Sequence, residues 1–182
     1  ANAALFNDHR VILTPLPETG AAHLQRVREL WQGAGAVISE MPVAEHDEVL
    51  AATSHLPHML AYTLVDTLSH MRENRDIFRY AAGGFRDFTR IAASDPVMWH
   101  DIVMANSTAL LSVLDNFTDH VNSLKEAINN KDSEYLLGVF TRAREARNHF
   151  AKMLENKAYL EPMTQTIDYR VLPGQAVSGD IR

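Results

Sequence analysis

The residues best suited to chemistry lie in three short segments. The first, residues 54–58 (SHLPH), places two histidines around a proline inside an apolar run. The others are residues 83–90 (GGFRDFTR) and 94–99 (SDPVMW). A proline within a helix costs about 3 kcal/mol, and an ionisable side chain is costly to bury without a partner. Such departures from local rules are expected where a functional site is built.

Within the first segment, His55 and His58 are three residues apart, which places them on one face of a helix. A pair of structural histidines is the simpler interpretation. A metal site would need a third ligand, often a carboxylate. His46 and Asp47 could supply it, so a metal-dependent hydrolase is one alternative.

In the second and third segments, the residues of interest are Gly84, Asp87, Arg90 and Trp99. Glycines allow unusual backbone angles and close approach of a ligand, so we expect 83–84 to open a loop. An arginine near phenylalanines suits a planar dicarboxylate, because the guanidinium pairs bidentately with a carboxylate. Asp87 could instead form a surface ion pair with Arg90. Trp99 is expected either to cover a pocket or to lie in the core.

Composition narrows the classes of partner. The net charge of −6 argues against nucleic-acid binding. No apolar run reaches the roughly 18 residues that span a bilayer. The chain has no cysteine, which fits a cytoplasmic protein. No glycine-rich phosphate loop or catalytic serine motif is present, so the chain is not expected to hold a dinucleotide by itself.

The elements that must position these residues are mainly helical. Residues 10–13 and 36–39 are β-rich and enclose a helical pattern at 18–32, which predicts one β-α-β unit from the end of a larger α/β domain. Helices are predicted at 43–71, bent at Pro57, at 96–129 with Ser94 or Asp95 as cap, and at 133–156 with Asp132 or Ser133 as cap. Phe140 and Phe150 are expected to face inward. The long apolar stripes also predict a partner chain, as in a homodimer.

Residues 5–156, and most specifically 11–15 (VILTP), 54–58 and 83–99, resemble the C-terminal part of prephenate and arogenate (cyclohexadienyl) dehydrogenases. The resemblance implies that residues 1–41 are the last β-α-β part of a Rossmann-type NAD(P)-binding domain. It implies an all-helical substrate and dimerisation domain at 42–156. After Tyr159 the sequence is interrupted by proline and glycine, which predicts a linker at 157–182.

The resemblance also implies an activity, the oxidative decarboxylation of prephenate or arogenate with NAD or NADP in tyrosine biosynthesis. Arg90 would bind a substrate carboxylate. The remaining substrate-binding residues would be His55, His58, Gly84, Asp87 and Trp99, and those near the cofactor would be Thr14, Pro15 and Ser54. The family's general-base histidine and glycine-rich loop would lie upstream, so this chain alone is expected to be inactive.

Two further expectations concern partners. Residues 169–182 (YRVLPGQAVSGDIR) resemble the start of 3-phosphoshikimate 1-carboxyvinyltransferase, which implies a bifunctional fusion. Tyrosine is expected as an inhibitor, and a tyrosine-binding regulatory helical dimer is the main alternative function.

Overall fold

The computed structural model describes residue 2 and residues 4–72 and 74–155. The chain divides into two compact units, Ala1–Asp119 and His120–Arg182. The predicted linker at 157–182, including the segment 169–182, lies outside the described residues. The division into domains at 41/42 and 156/157 stays a prediction. Within the described part, no single helix has the length and apolar character to cross a membrane.

The first unit opens with the predicted β-α-β arrangement. Strand β1 (Arg10–Leu13), helix α1 (Ala21–Gly33) and strand β2 (Val37–Glu40) follow one another, and the strands pair in parallel from Arg10 opposite Val37 to Leu13 opposite Glu40. The helix starts three residues later than predicted, because Thr19 Oγ1 accepts from the Leu16 N–H and holds a turn there. Gly35 enters β2 with φ +91°, a conformation that favours glycine.

The histidine segment lies in a nearly continuous helical run. Helix α2 (Val43–Leu50) passes into a π-helical turn (Ala51–His55) and then into α3 (Leu56–Ser69). The Leu56 N–H bonds to the carbonyl of Ala51, five residues back. In a regular α-helix the Pro57 ring would press on the carbonyl four residues earlier. The expected disturbance at Pro57 is therefore taken up by the wider π turn just before it.

The double glycine does not open a loop, contrary to the prediction. After α4 (Asn74–Arg79), Gly83 and Gly84 are the first residues of helix α5 (Gly83–Thr89), which continues into a 3₁₀ turn (Arg90–Ala93). Neither glycine has a positive φ. The first N–H groups of a helix have no intrahelical partner, so two small residues are tolerated there.

The predicted helix at 96–129 is in fact two helices. Helix α6 (Pro96–Ala105) and helix α7 (Ser107–Asn129) meet at 93°. Asp95 caps α6 as predicted, since its Oδ1 accepts from the Met98 N–H at 2.8 Å. Asn106 separates the helices with φ −115° and ψ 34°, outside the α region.

Helix α8 (Ser133–Glu155) lies in the second unit. Its predicted cap is confirmed, because Asp132 Oδ1 accepts from the Tyr135 N–H at 2.9 Å. The prediction that Phe140 and Phe150 face inward is wrong for a single chain, where they are 60% and 51% exposed. The apolar stripe of α8 is therefore left open in one copy of the chain.

Candidate functional site

The structure brings His55, His58 and Trp99 together. The His58 and Trp99 rings stack with centroids 3.7 Å apart and planes inclined by 21°. The His55 ring meets Trp99 edge-on, with centroids 6.1 Å apart. The one-turn spacing of the two histidines thus places both rings against a single side chain of α6. We call these three residues and Asn106 the histidine cluster.

Trp99 is a core residue of the cluster, since only 7% of its surface is exposed. Its indole Nε1 is buried with no hydrogen-bond partner among the described residues, whereas a buried Trp N–H usually finds one. An open apolar cleft of about 320 Å³ borders it, lined by Met59, Tyr62 and Val103 among others. The Tyr62 hydroxyl donates to the Ser94 carbonyl at 2.7 Å and ties α3 to the start of α6.

His55 is the buried polar side chain of the cluster. Burial lowers the pKa of His55 below its ordinary value of 6.5, and the charge of Asp47 opposes that effect while His46 and His58 add to it. A buried imidazole avoids its charged form because that form loses hydration. Burial therefore favours the neutral form of the His55 imidazole.

Asn106 connects the cluster to α2, and sequence reasoning missed it. Its Nδ2 donates to the backbone carbonyl of Asp47 at 2.8 Å and lies 3.3 Å from His55 Nδ1. Its backbone N–H bonds to the Ile102 carbonyl and its own carbonyl accepts from the Leu110 N–H. The available signal was the run Asn106, Ser107 and Thr108 inside the predicted helix at 96–129, because these residue types favour helix caps.

A cleft of about 670 Å³ with a mixed polar and apolar lining lies between α2, α6 and α7, beside Asn106. This volume falls within the range of small-molecule sites. Alanines 44, 52, 105 and 109 give it room, and its polar lining comes from Asp47, Glu48, Asn106, Thr108, Ser112 and Asn116. The cleft can accommodate a small polar molecule next to the histidine cluster.

The second predicted part of the site, Gly84, Asp87 and Arg90, is exposed. Asp87 pairs with Arg86, with Nε and Oδ1 3.6 Å apart, instead of with Arg90. Nothing lies within 4 Å of a Cβ built on Gly84. The 3₁₀ turn that begins with Arg90 packs on α3, the helix of His58. Within the described side chains, no hydrogen bond or ion pair joins Arg90 to the histidine cluster.

The residues of the metal alternative do not gather into a ligand set. His46 Nδ1 lies 3.0 Å from Asp47 Oδ1, but in the part of the chain that the structure describes no three His, Asp or Glu side chains could hold a metal ion. The metal-hydrolase alternative therefore has no geometric support there.

The residues predicted near a cofactor are divided between two places. Thr14 follows β1, and Pro15 lines a cleft of about 580 Å³ with Leu16, Glu40 and Met41 at the carboxyl ends of both strands. In open parallel sheets this edge is where ligands bind. Ser54 instead lies in the π turn, and its carbonyl contacts His58 Nδ1 at 2.9 Å.

Comparisons with known proteins bear on this arrangement. The family model described as prephenate dehydrogenase, dimerization domain, matches residues 42–142. A cyclohexadienyl dehydrogenase of Zymomonas mobilis is 45% identical over 147 residues, which are 80% of this chain and 50% of that protein. A prephenate dehydrogenase of Bacillus subtilis is 35% identical over 149 residues, covering 81% and 40%. The chain thus spans about half the length, or less, of these relatives.

Solved structures of two dehydrogenases are also similar to this chain. A prephenate dehydrogenase from A. aeolicus, in complex with hydroxyphenyl propionate and NAD+, superposes with a TM-score of 0.75 at 39% identity, covering 81% of this chain and 52% of that one. An arogenate dehydrogenase from Synechocystis gives a TM-score of 0.71 at 25% identity, covering 81% and 54%.

Proposed function

The chain belongs to the prephenate dehydrogenase family, and from that premise we propose that it is the substrate-binding and dimerisation half of an NAD(P)-dependent prephenate or arogenate dehydrogenase. The observation that carries the proposal is the histidine cluster, since its paired histidines and tryptophan all lie within the matched residues 42–142. The reaction is the oxidative decarboxylation of prephenate or arogenate. The other half of the protein would precede residue 1.

On this proposal the substrate lies between the histidine cluster and the segment of Arg90. Arg90 binds one substrate carboxylate through its guanidinium, and Gly84 and Asp87 shape the surface beside it. His55 and His58 line the pocket, with Trp99 behind them. The general base that takes the hydroxyl proton is expected in the upstream half, as is the glycine-rich loop.

The cofactor would be NAD or NADP, which when bound accepts the hydride that the substrate loses. The residues present fit only one part of such a molecule. The cleft at the carboxyl ends of β1 and β2 offers the apolar surface of Pro15 and Met41, suited to the face of a ring. The glycine-rich loop that holds a pyrophosphate in dinucleotide-binding domains is not encoded in residues 1–182. Thr14, Pro15 and Ser54 would hold the cofactor's edge.

A direct test uses the complete protein that contains residues 1–182. We expect NAD or NADP reduction that depends on added prephenate or arogenate, and comparison of the four substrate and cofactor pairs identifies the preferred ones. A complete, folded protein without activity on any pair would contradict the proposal.

We also propose that the chain forms a homodimer through its helices. Leu137, Phe140 and Phe150 of α8 are exposed in one copy, and exposed apolar patches of this kind mark interfaces. Sedimentation at micromolar concentration should give twice the chain mass of 20.4 kDa, and Phe140→Glu should shift it towards the monomer. A stable monomer of the unaltered chain would contradict the proposal.

The remaining proposals concern regulation and context. Tyrosine, which shares the aromatic product's ring, is proposed to bind as an inhibitor, and calorimetric titration of the chain with tyrosine tests this. The tail at 169–182 is proposed to lead into a fused 3-phosphoshikimate 1-carboxyvinyltransferase of a cytoplasmic protein. The reading frame beyond residue 182 decides it, because an unrelated continuation would remove the fusion.

A further inference from the structure

The two histidines of the cluster are hydrogen-bonded in opposite ways. His58 Nδ1 lies 2.9 Å from the backbone carbonyl oxygen of Ser54. A carbonyl oxygen can only accept a hydrogen bond, so Nδ1 carries the hydrogen. When His58 is neutral, its other nitrogen, Nε2, is left with a lone pair and acts as an acceptor.

The orientation of the Asn106 amide follows from a similar argument. Its Nδ2 lies 2.8 Å from the backbone carbonyl oxygen of Asp47. Because that oxygen only accepts, the amide atom facing it is the NH₂ group and not the carbonyl oxygen. The second N–H of the same group is then available to His55 Nδ1, 3.3 Å away.

Two donors cannot share one hydrogen bond, so His55 Nδ1 has to accept. We propose that Asn106 is a positioning residue that fixes His55 as the tautomer with its hydrogen on Nε2. The histidine cluster then presents one Nε2 donor, on His55, and one Nε2 acceptor, on His58. Asn106 acts through His55.

Because His55 is buried, the position of its hydrogen affects the free energy of the cluster. His55 is 9% exposed, and a buried nitrogen without a partner would lose its hydration uncompensated. The titratable side chains that act on the His55 ring are those of Asp47, His46 and His58. Since burial keeps the ring neutral, its single hydrogen must be on one nitrogen or the other, and the Asn106 amide selects which.

The proposal deepens the proposed function, and for its use in substrate binding it rests on that function. A substrate carboxylate only accepts hydrogen bonds, so it can pair with the His55 donor and not with neutral His58. A hydroxyl, which both donates and accepts, can pair with either. The two histidines are therefore inequivalent towards prephenate or arogenate although they lie one turn apart.

The tautomers can be read directly by long-range ¹H–¹⁵N correlation spectroscopy of the chain labelled with ¹⁵N-histidine, at pH 8. We expect His55 with its hydrogen on Nε2 and His58 with its hydrogen on Nδ1. In Asn106→Asp the carboxylate only accepts, so His55 should move its hydrogen to Nδ1 while His58 stays unchanged. Asn122→Asp, the same substitution at an exposed position of α7 outside the cleft, should leave both tautomers as they are.

Several results would overturn the proposal. A His55 hydrogen on Nδ1 in the unaltered chain would do so, as would an unchanged His55 in a folded Asn106→Asp variant. The unaltered chain suffices for the first result even if the variant fails to fold.

Kinetics of the complete protein separate this proposal from the function. Asn106→Asp should lower kcat/KM for the substrate about tenfold, the effect of one lost hydrogen bond, and Asn122→Asp should not. The expected tautomers in a protein without dehydrogenase activity would leave Asn106 as a positioning residue and reject the function. Dehydrogenase activity with the opposite His55 tautomer would do the reverse.

Discussion

The histidine cluster and the segment of Arg90 belong to the same compact unit but are built in opposite ways. Trp99 and His55 are buried, and His55 is within hydrogen-bond distance of Asn106. Arg90 is exposed, and its neighbour Asp87 pairs with Arg86. The cluster is therefore assembled by the packing of this chain. The Arg90 segment presents a charge that a ligand or another part of the protein has to meet.

Because one region is buried and the other is exposed, the two should contribute differently to folding stability and to ligand binding. Side chains of the cluster contribute to the free energy of folding, because their removal leaves a cavity or an unpaired polar group. An exposed arginine contributes little to folding and has its charge free for an anion. Variants on the two sides should consequently fail in different measurements.

The largest expected effect tests whether the two regions are sufficient for dehydrogenase activity and cofactor binding. The 182-residue chain should show no dehydrogenase activity and no calorimetric binding of NAD or NADP. It encodes no glycine-rich loop for the pyrophosphate, and the lack of a general base alone costs about 10²–10⁴ in rate. Micromolar NAD binding by the purified chain would show that the cofactor site is already complete here.

Trp99→Ala should lower the free energy of unfolding by about 3–5 kcal/mol, the usual cost of deleting a buried aromatic ring. Arg90→Ala should change it by about 0.5 kcal/mol or less. Urea unfolding of the two variants and the unaltered chain measures both. Equal losses would mean that the Arg90 segment is as much a part of the core as the cluster.

Arg90→Ala in the complete protein should raise the KM for prephenate and leave the KM for the nicotinamide cofactor nearly unchanged. Losing one charge-assisted pair with a carboxylate costs about 1.5–3 kcal/mol. Steady-state kinetics measure the change, and Arg86→Ala is the control because Arg86 is another exposed arginine of the same segment, paired with Asp87. An unaltered KM for prephenate would remove Arg90 from the site.

The smallest expected effect is a pH dependence of folding stability that arises from His55. The pKa of folded His55 lies below its ordinary value of 6.5, so the unfolded chain binds a proton that the folded chain resists. Stability is therefore complete above about pH 6.5 and falls as the pH drops towards the lowered pKa. Urea midpoints at pH 7.5 and 5.5 should differ less in His55→Gln than in the unaltered chain. His23→Gln, at an exposed position, should not reduce the difference.

What could be predicted from sequence was what local interactions determine. Asp95 and Asp132 cap helices that begin next to them, and the spacing of His55 and His58 follows from helical geometry alone. The break at Asn106 could not be predicted in this way. Its side chain bonds to Asp47, 59 residues away, and that contact exists only after the chain has folded.

Two other errors have similar causes. The glycines 83–84 suggested a loop, yet a helix N-terminus tolerates them equally well, and only the backbone angles distinguish the two. Periodicity predicts that Phe140 faces the core, because it identifies an apolar face without identifying what covers that face. Phe140 is exposed in one chain, and the sequence pattern alone does not distinguish a face that meets the core from one that meets a second chain.

The π-helical turn Ala51–His55 bears on which genetic changes this site tolerates. A π turn contains one residue more than the α-helix that it replaces. Because the five residues of this turn rotate the chain about as far as four residues of α-helix do, an in-frame loss of one codon at 52–54 would restore regular α spacing and leave α3 in nearly the same orientation relative to α2. Both histidines would then stay close to their places beside Trp99, although the wider turn before Pro57 would be lost. The site should thus tolerate the loss of one residue in this segment, a change that single-codon deletions test and substitution scans do not.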